Sequence, residues 1–404
     1  MNRTLFRRFA VSNLLITFIL IGVYCLWALG RPLAPIEPVK SSLKLESMTV
    51  SNQLAWPSKG QAAVGTNPSG VLATFGEQKP VPTASVAKVF TALMVLKKRP
   101  IKLGETGPII KITEADVQSY RDYLAGDGSV IPVQVGEDLT QYQMLQAIML
   151  PSANNVADSL AIWAFGSLEN YTKFANDYIR QLGLTNTVIG SDASGYDAST
   201  VSTAHDLVLL GEAAMQEPVI AEIVGQPSAV LPVAGSVQNR NFLLGPDGLA
   251  GIKTGTTVAA GGVFLAAKQV TINGMPLTLV SAIVGAENTF NAQVESVPLL
   301  KSVQNNFAET KVLSKGSVVG HYKSQWGDTV TAVTTKPLST LAWKGSMVPT
   351  NVEIDATSAT AESGQVVGSV QVPRSPVSIA HKVPVALTGS FSQPSLAWRL
   401  THPL

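Results

Sequence analysis

The stretch Ser85-Val-Ala-Lys88-Val-Phe-Thr-Ala-Leu-Met-Val-Leu96 is the part of the sequence that says most about the fold. From Val86 to Leu96 it is apolar on nearly all sides, which predicts a helix buried in a large core. At its start, Ser85 and Lys88 stand three positions apart and therefore share one helix face. Burial favours the neutral form of a lysine, and a neutral lysine is able to activate a serine hydroxyl. The pair is a candidate nucleophile and base.

Two further features of this motif bear on its interpretation. The N-terminus of the helix brings a partial positive charge next to Ser85, which favours a developing oxyanion. A chain of 404 residues nevertheless contains about one Ser-x-x-Lys by chance, so the motif alone also fits an ordinary surface helix.

Segments of helical and strand-like pattern surround this helix on both sides. The strand-like runs are Gly70–Phe75, Gly262–Lys268 and Pro276–Val284. The helical runs are Leu139–Met149, Asn155–Phe165, Tyr171–Leu182, Thr203–Met215 and Thr289–Phe307. Helices in the middle of the chain, with strands before and after them, predict a mixed α/β body.

After about Lys311 the pattern changes to short β-rich runs separated by turns, without a long helical period. This region predicts a small all-β domain of about 90 residues. We therefore expect four segments: an N-terminal anchor or signal at residues 1–30, a proline-rich linker at 31–48, a catalytic domain at 49–308, and a β-domain at 309–404.

The N-terminus predicts export from the cytoplasm. Arg3, Arg7 and Arg8 precede an uncharged run from Phe9 to Leu29, which is long enough to cross a bilayer as a helix. Positive charge before the span keeps that end in the cytoplasm. A cleaved signal peptide, with Ala28-Leu29-Gly30 as the cleavage site, is the alternative. Both interpretations place the rest of the chain outside the cytoplasm, and the first makes the lipid bilayer a partner of residues 9–29.

The composition excludes several classes of function. With a net charge of +2 and no long basic run, the chain lacks the dense positive charge that nucleic-acid binding requires. The single cysteine, Cys25, lies in the apolar run, so no intrachain disulfide is available. We expect neither a metal site nor a cofactor, because the histidines do not pair at ligand spacing. They are His205, His321, His381 and His402.

Two short motifs follow the first one along the chain. Ser152-Ala-Asn154 lies at a predicted helix entry, where a serine and an asparagine usually serve only as caps. Lys253-Thr-Gly255 precedes a strand-like run and fits a plain turn equally well. In a functional interpretation, Lys253 supplies a positive charge that holds a carboxylate and lowers the pKa of Lys88. A glycine at 255 lets a substrate backbone lie close.

The order Ser-x-x-Lys, Ser-x-Asn, Lys-Thr-Gly is the motif set of penicillin-binding proteins and serine β-lactamases. With all three in order, the chain resembles the low-molecular-mass penicillin-binding proteins, the D-alanyl-D-alanine carboxypeptidases. The likeness runs from about Pro82 to Phe307 and includes the stretch Asp247 through Gly255. It implies an α+β fold of the β-lactamase/DD-peptidase kind: an antiparallel sheet flanked by helices, with a helical subdomain.

The resemblance also implies a reaction and roles for individual residues. The substrate would be the stem peptide of peptidoglycan, and β-lactam antibiotics would bind covalently. Ser85 would form the acyl-enzyme, Lys88 would be its general base, and Ser152 would relay a proton to the leaving D-alanine. Substrate binding would fall to Asn154, Lys253, Thr254, Gly255, Thr256 and Arg240, with the N–H groups of Ser85 and Thr256 forming the oxyanion hole.

The sequence departs from the family pattern at Asn155, where Asp is usual, and at Thr256, where a larger residue such as histidine is common. Its C-terminus has too little charge and length for the membrane-lying helix with which many relatives end. Three other functions stay open. A β-lactamase is disfavoured, because no glutamate occurs between Glu169 and Glu212 to hydrolyse the acyl-enzyme. A DD-endopeptidase would use the same motifs, and a non-catalytic cell-wall scaffold would not need them intact.

Overall fold

A computed structural model describes residues 3–43, 53–67, 70–245, 249–272, 274–344, 348–373, 378 and 380–402. The chain divides into two compact units, residues 50–308 and residues 1–49 together with 309–404. Residues 44–48 of the predicted linker, and Asp247 in the stretch before the third motif, lie outside the described residues.

The helices of the described residues are as follows, with a 3₁₀ turn at Ala84–Val86 directly before α2. They are α1 Arg3–Gly30, α2 Ala87–Lys98, α3 Glu114–Ala125, α4 Gln141–Met149, α5 Asn154–Phe165, α6 Leu168–Gln181, α7 Ala204–Gln216, α8 Pro218–Val224, α9 Thr289–Asn305 and α10 Leu396–Thr401.

The strands alternate with these helices in residues 50–308, and those of the other unit lie between α1 and α10 along the chain. They are β1 Pro38–Lys40, β2 Gln61–Asn67, β3 Gly70–Phe75, β4 Val81–Pro82, β5 Ile109–Lys111, β6 Asp138–Thr140, β7 Val201–Ser202, β8 Ser228–Leu231, β9 Gly235–Gln238, β10 Leu249–Thr257, β11 Gly261–Ile272, β12 Met275–Ala286, β13 Phe307–Leu313, β14 Val318–Lys323, β15 Thr329–Thr334, β16 Leu338–Trp343, β17 Asn351–Ile354, β18 Val366–Val372 and β19 His381–Leu387.

An antiparallel sheet in the order β10-β11-β12-β2-β3 forms the centre of residues 50–308. Helix α9 packs against β11 and β12, and α7 packs against β2, β11 and β12. Helices α2, α4, α5 and α6 pack on one another in a helical region. The predicted fold class, an antiparallel sheet flanked by helices with a helical subdomain, is confirmed.

Helix α2 is buried along its whole length from Ala87 to Leu96, as its all-round apolar pattern predicts. It contacts α4, α5, α6 and α7, so helices surround it. Burying side chains such as Phe90 and Met94 completely contributes about 1.5–3 kcal/mol each. This packing fixes the position of the first turn, where Ser85 and Lys88 lie.

In the second unit, the sheet has the order β1-β14-β15-β19-β18-β17 and is antiparallel throughout. Its first strand, Pro38–Lys40, comes from the segment expected to be a proline-rich linker, and Ile36 pairs with Thr357 nearby. Part of the expected linker thus forms a strand. Proline is compatible with an edge strand, where one side of the backbone needs no ladder partner. The extended proline-rich chain therefore joins the sheet.

Helix α1 includes the apolar stretch Phe9–Gly30, which is long enough to cross a membrane. The C-terminal end of this helix packs against α10. Tyr24 donates a hydrogen bond to the carbonyl of Leu400 at 2.6 Å, and Arg399 donates to the carbonyl of Leu29 at 2.8 Å. The sequence did not predict α10, a six-residue helix that is too short to show a clear period.

Candidate active site

The 3₁₀ turn before α2 presents Ser85, and the first turn of α2 presents Lys88. The Lys88 side chain is completely buried. Its Nζ lies 3.0 Å from Ser85 Oγ, 2.7 Å from Asn154 Oδ1 and 2.8 Å from the carbonyl oxygen of Ser194. The Lys88 amine therefore contacts residues of both the first and the second motif.

The three partners of Lys88 determine what its neutral form does. A neutral amine has two N–H groups and one lone pair. Asn154 Oδ1 and the Ser194 carbonyl are acceptors and cannot donate, so they take the two N–H groups. The lone pair is then directed at Ser85 Oγ, which carries a proton to give. The arrangement fits a general base within hydrogen-bond distance of its nucleophile.

The pKa of Lys88 falls from 10.5 to about 7, chiefly because burial disfavours the charged amine. The carboxylates of Asp192 and Asp158 oppose this effect, and the Arg240 guanidinium adds to it. A pKa near 7 leaves a large share of the amine neutral at physiological pH.

The sequence assigned the cationic neighbour of Lys88 to Lys253, whereas in the structure Arg240 is the cation that lowers the pKa of Lys88. Lys253 is itself buried, and burial lowers its pKa well below 10.5, with Lys88 and Arg240 adding to the effect. Its Nζ donates to the Thr254 carbonyl at 3.1 Å.

Ser152 occupies a turn between α4 and α5, with a positive φ of 70° that non-glycine residues seldom adopt. Its hydroxyl is buried and has no hydrogen-bond partner among the described residues. A buried hydroxyl without a partner calls for an explanation. This one lines the same cavity as Ser85, where a substrate atom or a transferring proton would satisfy it.

Strand β10 carries the third motif at the edge of the sheet. A Cβ atom at Gly255 would lie 3.1 Å from the backbone nitrogen of Ser85 and 3.1 Å from the carbonyl oxygen of Thr83, so the strand approaches the turn of Ser85 closely. The hydroxyl of Thr289 donates to the Gly255 carbonyl at 3.1 Å. A larger side chain at this position would push β10 away from Ser85.

A cavity of about 320 Å³ lies between the three motifs. Its lining residues are Ser85, Ser129, Ser152, Arg240, Thr254, Gly255, Thr256 and Thr289. Six of these were predicted from the sequence. The other three predicted side chains, Lys88, Asn154 and Lys253, are buried but do not line the cavity. No carboxylate belongs to this lining within the part of the chain that the structure describes.

Arg240 reaches the cavity from the segment between β9 and β10. Its Nε donates to the carbonyl of Pro151 at 2.8 Å, and its backbone N–H donates to the carbonyl of Leu150. Arg240 is thereby attached to the turn that carries Ser152. The guanidinium gives the cavity a permanent positive charge, which suits an anionic ligand.

Sequence reasoning missed several residues of the site because they belong to no motif. Ser129 lines the cavity, and its carbonyl accepts the N–H of Asn154 at 2.7 Å. Thr289 lies at the start of α9, and Ser194 contributes only a backbone carbonyl. No local sequence signal marks a carbonyl as a partner of Lys88.

Asn155, a departure from the family pattern, has a structural role. Its side chain accepts the N–H of Ile131 at 3.3 Å and donates to the carbonyl of Ile131 at 3.1 Å. This double hydrogen bond holds the chain near Ser129 against α5. The departure does not alter any group that lines the cavity.

The described residues contain no group of histidine, cysteine, aspartate and glutamate side chains that could hold a metal ion. The chemistry available at the site is that of a serine, two amines and hydrogen-bond donors.

A family model described as D-alanyl-D-alanine carboxypeptidase matches residues 47–288. The chain is 34% identical over 203 residues to the D-alanyl-D-alanine carboxypeptidase DacB2 of Mycobacterium tuberculosis, covering 49% of this chain and 65% of that protein. It is 27% identical over 263 residues to a D-alanyl-D-alanine endopeptidase of Escherichia coli, covering 62% of this chain and 78% of that protein.

The match spans about half to just under two thirds of the length of DacB2 and of three enterobacterial carboxypeptidases. Among solved structures, penicillin binding protein 5 from Haemophilus influenzae superimposes with a TM-score of 0.59 at 21% identity, covering 85% of this chain and all of that one. This likeness supports the fold.

Proposed function

Since the chain belongs to the D-alanyl-D-alanine carboxypeptidase family, we propose that it is a serine-type D-Ala-D-Ala carboxypeptidase that removes the terminal D-alanine of peptidoglycan stem peptides. The observation that carries this proposal is the coordination of Lys88. Two acceptors take its N–H groups, which leaves the lone pair for Ser85. Such an amine is a base for acyl transfer.

In the first half of the reaction, Lys88 takes the proton of Ser85 as Oγ attacks the carbonyl carbon of the penultimate D-alanine. The O–C bond of the acyl-enzyme forms and the C–N bond of the terminal peptide group breaks. The leaving amine of D-alanine receives a proton from Lys88 through the Ser152 hydroxyl. The backbone N–H groups of Ser85 and Thr256 stabilise the negative oxygen in between.

In the second half, water attacks the acyl carbon while Lys88 takes its proton. The O–C bond breaks, the shortened peptide leaves as a carboxylate, and Ser85 recovers its hydroxyl proton. The cavity lining includes no carboxylate that would activate this water independently, within the described residues. Deacylation of a bulky penicilloyl group should therefore be slow, which makes β-lactams inhibitors and not substrates.

The carboxylate of the terminal D-alanine provides the anion that the cavity is charged to receive. Thr254 and Thr256 offer hydroxyl donors, and Arg240 offers a guanidinium. Asn154 lies beneath the cavity and acts through its hydrogen bond to Lys88. A carboxylate next to Lys253 favours its protonated form. Positive charge on Lys253 in the presence of the carboxylate would lower the pKa of Lys88 further.

The test is mass spectrometry of the intact protein after treatment with benzylpenicillin, combined with an assay for D-alanine released from an N-acylated D-Ala-D-Ala peptide. We expect a long-lived adduct of penicillin mass and D-alanine release. Ser85→Ala should lose both, whereas Ser228→Ala, which removes an exposed hydroxyl on β8 that does not line the cavity, should keep both. A folded native protein with neither adduct nor D-alanine release would favour the non-catalytic scaffold.

A DD-endopeptidase is the second candidate, because the chain is also similar to a D-alanyl-D-alanine endopeptidase. The same acyl-transfer groups serve both reactions, and they differ in whether the leaving group is free D-alanine or a crosslinked peptide. Digestion of purified peptidoglycan distinguishes them. Conversion of crosslinked dimers to monomers at a rate above that of D-alanine release would replace our first candidate.

The location proposed for this activity is the outer face of the membrane, with α1 as the anchor. The apolar stretch of α1 supports the proposal, and a cleaved signal is the alternative. The protein should remain in the membrane pellet after high-salt washing and should keep its N-terminal residues by intact mass. Release into the soluble fraction with loss of residues 1–30 would establish cleavage.

We regard residues 31–48 as the stretch that leaves the membrane, residues 49–308 as the catalytic domain and residues 309–404 as a spacer that sets its distance from the bilayer. A folded fragment of residues 50–308 should hydrolyse a small soluble substrate normally and act poorly on intact cell wall. Loss of activity on the small substrate would contradict a spacer role.

A further inference from the structure

Two buried carboxylates that belong to none of the three motifs lie close to Lys88. Asp158 is on α5, and Asp192 begins a loop of residues 192–197 between α6 and α7. Both side chains are more than nine-tenths buried. Buried carboxylates are uncommon unless they are hydrogen-bonded or paired, so their presence at this place requires a reason.

Asp192 is hydrogen-bonded to the backbone of its own loop. One oxygen, Oδ1, accepts the N–H groups of Ser194 at 2.9 Å and Gly195 at 2.5 Å. The other, Oδ2, accepts the N–H of Asp197 at 2.7 Å. Three backbone donors on one carboxylate fix the conformation of the 192–197 loop, and Ser194 is the residue whose carbonyl accepts from Lys88.

Asp158 attaches the same loop to the helical region. Its Oδ1 accepts the N–H of Ala193 at 2.9 Å, and its Oδ2 accepts the hydroxyl of Tyr123 at 2.6 Å. From the other side, Thr91 of α2 donates to the Ala193 carbonyl at 2.6 Å. The loop is therefore held on both sides, by α5 and by α2.

The loop also touches the turn that presents the nucleophile. Gly195 has a positive φ of 72°, and a Cβ atom there would lie 2.1 Å from the carbonyl oxygen of Ala84. Only glycine lets the loop pack this closely against the residue before Ser85. The loop thus contacts Lys88 and the residue before Ser85.

We propose that Asp158 and Asp192 are positioning residues of the acylation step, which hold the 192–197 loop so that the Ser194 carbonyl occupies one N–H of Lys88 and the amine lone pair faces Ser85. The proposal rests on the proposed function of Ser85 and Lys88. Asn154 fixes the second N–H from the opposite side, so loss of either acceptor would let the amine rotate.

The same carboxylates act on Lys88 through their charge. The groups that face this amine are Asp192 on the loop, Asp158 on α5, Arg240 before β10 and Lys253 on β10. The two carboxylates raise the pKa of Lys88, whereas burial and Arg240 lower it. Without the carboxylates the amine would be neutral but a weaker base, and its protonation would require a lower pH.

The test measures the rate of acylation by a fluorescent penicillin between pH 5 and 9 in the full-length protein and in Asp192→Asn and Asp158→Asn. We expect the acid limb of each variant's profile to move to lower pH by about half a unit or more, because a negative charge that stabilises protonated Lys88 is lost. We also expect the plateau rate to fall about tenfold or more, because the amine is less well oriented.

Asp197→Asn is the matched control. It makes the same chemical change in the same loop, but at an exposed residue that does not act on Lys88. Its acid limb should coincide with that of the native protein. Thermal unfolding checks that each variant is folded. If Asp192→Asn does not fold, Asp158→Asn, which removes the charge but keeps an oxygen acceptor for the Ala193 N–H, carries the same expectation.

The outcomes separate this proposal from the proposed function. A native protein that forms no acyl-enzyme on Ser85 overturns the function itself. Native acylation together with an acid limb that stays in place in the folded Asp192→Asn and Asp158→Asn variants overturns the role of the carboxylates. A slower rate with an unmoved limb would indicate a purely structural effect and would count against the proposal too.

Discussion

The surroundings of the two buried lysines of the site differ in a way that matches their proposed roles. Lys88 is bound by an amide oxygen and a backbone carbonyl, with two carboxylates close by. Lys253 donates to the carbonyl of Thr254, and its charged neighbours are Lys88 and Arg240, both cationic when protonated. Burial lowers the pKa of both amines, but carboxylates oppose the shift at Lys88 alone.

This difference shows that burial by itself does not make a lysine a catalytic base. Cations around a buried amine lower its pKa further and make it a weaker base. An amine with nearby carboxylates keeps its pKa close to the working pH, where a general base is most effective. We therefore expect Lys88 to transfer protons and Lys253 to bind the substrate anion.

The largest effect should come from removing the first of these amines. Lys88→Met keeps most of the length of the side chain but has no amine, so acylation by penicillin should fall about 10³-fold or more. Stopped-flow or quench measurements of adduct formation provide the rate. Lys98→Met, an exposed change at the end of the same helix, should acylate at the native rate. Equal rates in the two variants would remove Lys88 from the mechanism.

The second effect concerns Lys253 and the substrate carboxylate. Lys253→Met should lower kcat/KM about 10- to 100-fold for a peptide that ends in a free carboxylate, because a charge-assisted hydrogen bond is lost. The same peptide with an amidated C-terminus should be a poor substrate for the native protein and for the variant alike. An equal loss on both substrates would indicate a general disturbance of the site and not recognition of the anion.

The third effect is the pH dependence of acylation. Since the protonated amine cannot act as a base, the rate should rise with pH through about 7, the pKa of Lys88, and level off above it. Two pH units below this value the rate should be about a hundredfold lower than on the plateau. Adduct formation at constant ionic strength gives the profile. A rate independent of pH between 5 and 9 would exclude Lys88 as the titrating base.

The sequence predicted the parts of this site that are local and left out those that depend on the folded chain. The apolar period after Ser85 predicted the buried helix, and the three motifs supplied residues that line or lie beneath one cavity. Asp158, Asp192 and Ser194 carry no motif, and their proximity to Lys88 depends on the packing of α5 and α2. Helix α3 was also not predicted from the sequence, because it has no apolar period: Val117 is its one buried residue among those described.

The smallest effect concerns Glu212, a buried carboxylate away from the cleft. Burial raises the pKa of this acid, whereas it lowers the pKa of the two lysines. Glu212 on α7 accepts the N–H of Gly70 at 3.0 Å, and its Oε1 has no partner among the described residues. Burial raises its pKa from 4.5 to about 7. An acid whose pKa is raised on folding binds its proton more tightly in the native state, so native stability falls as pH rises from about 4.5 to about 7 and stays low above that.

Glu212→Gln removes this titration and keeps an acceptor for Gly70, so the variant should gain stability relative to the native protein as pH rises from 5 to 8. Because solvent partly screens the group, we expect a relative gain in Tm of about 2–4 °C. Thermal unfolding at the two pH values gives the difference. Glu169→Gln, at an exposed position, should show none. If the Tm difference between Glu212→Gln and the native protein is the same at pH 5 and pH 8, burial does not raise the pKa of this carboxyl. The contrast drawn from the lysines would then apply to the cleft alone.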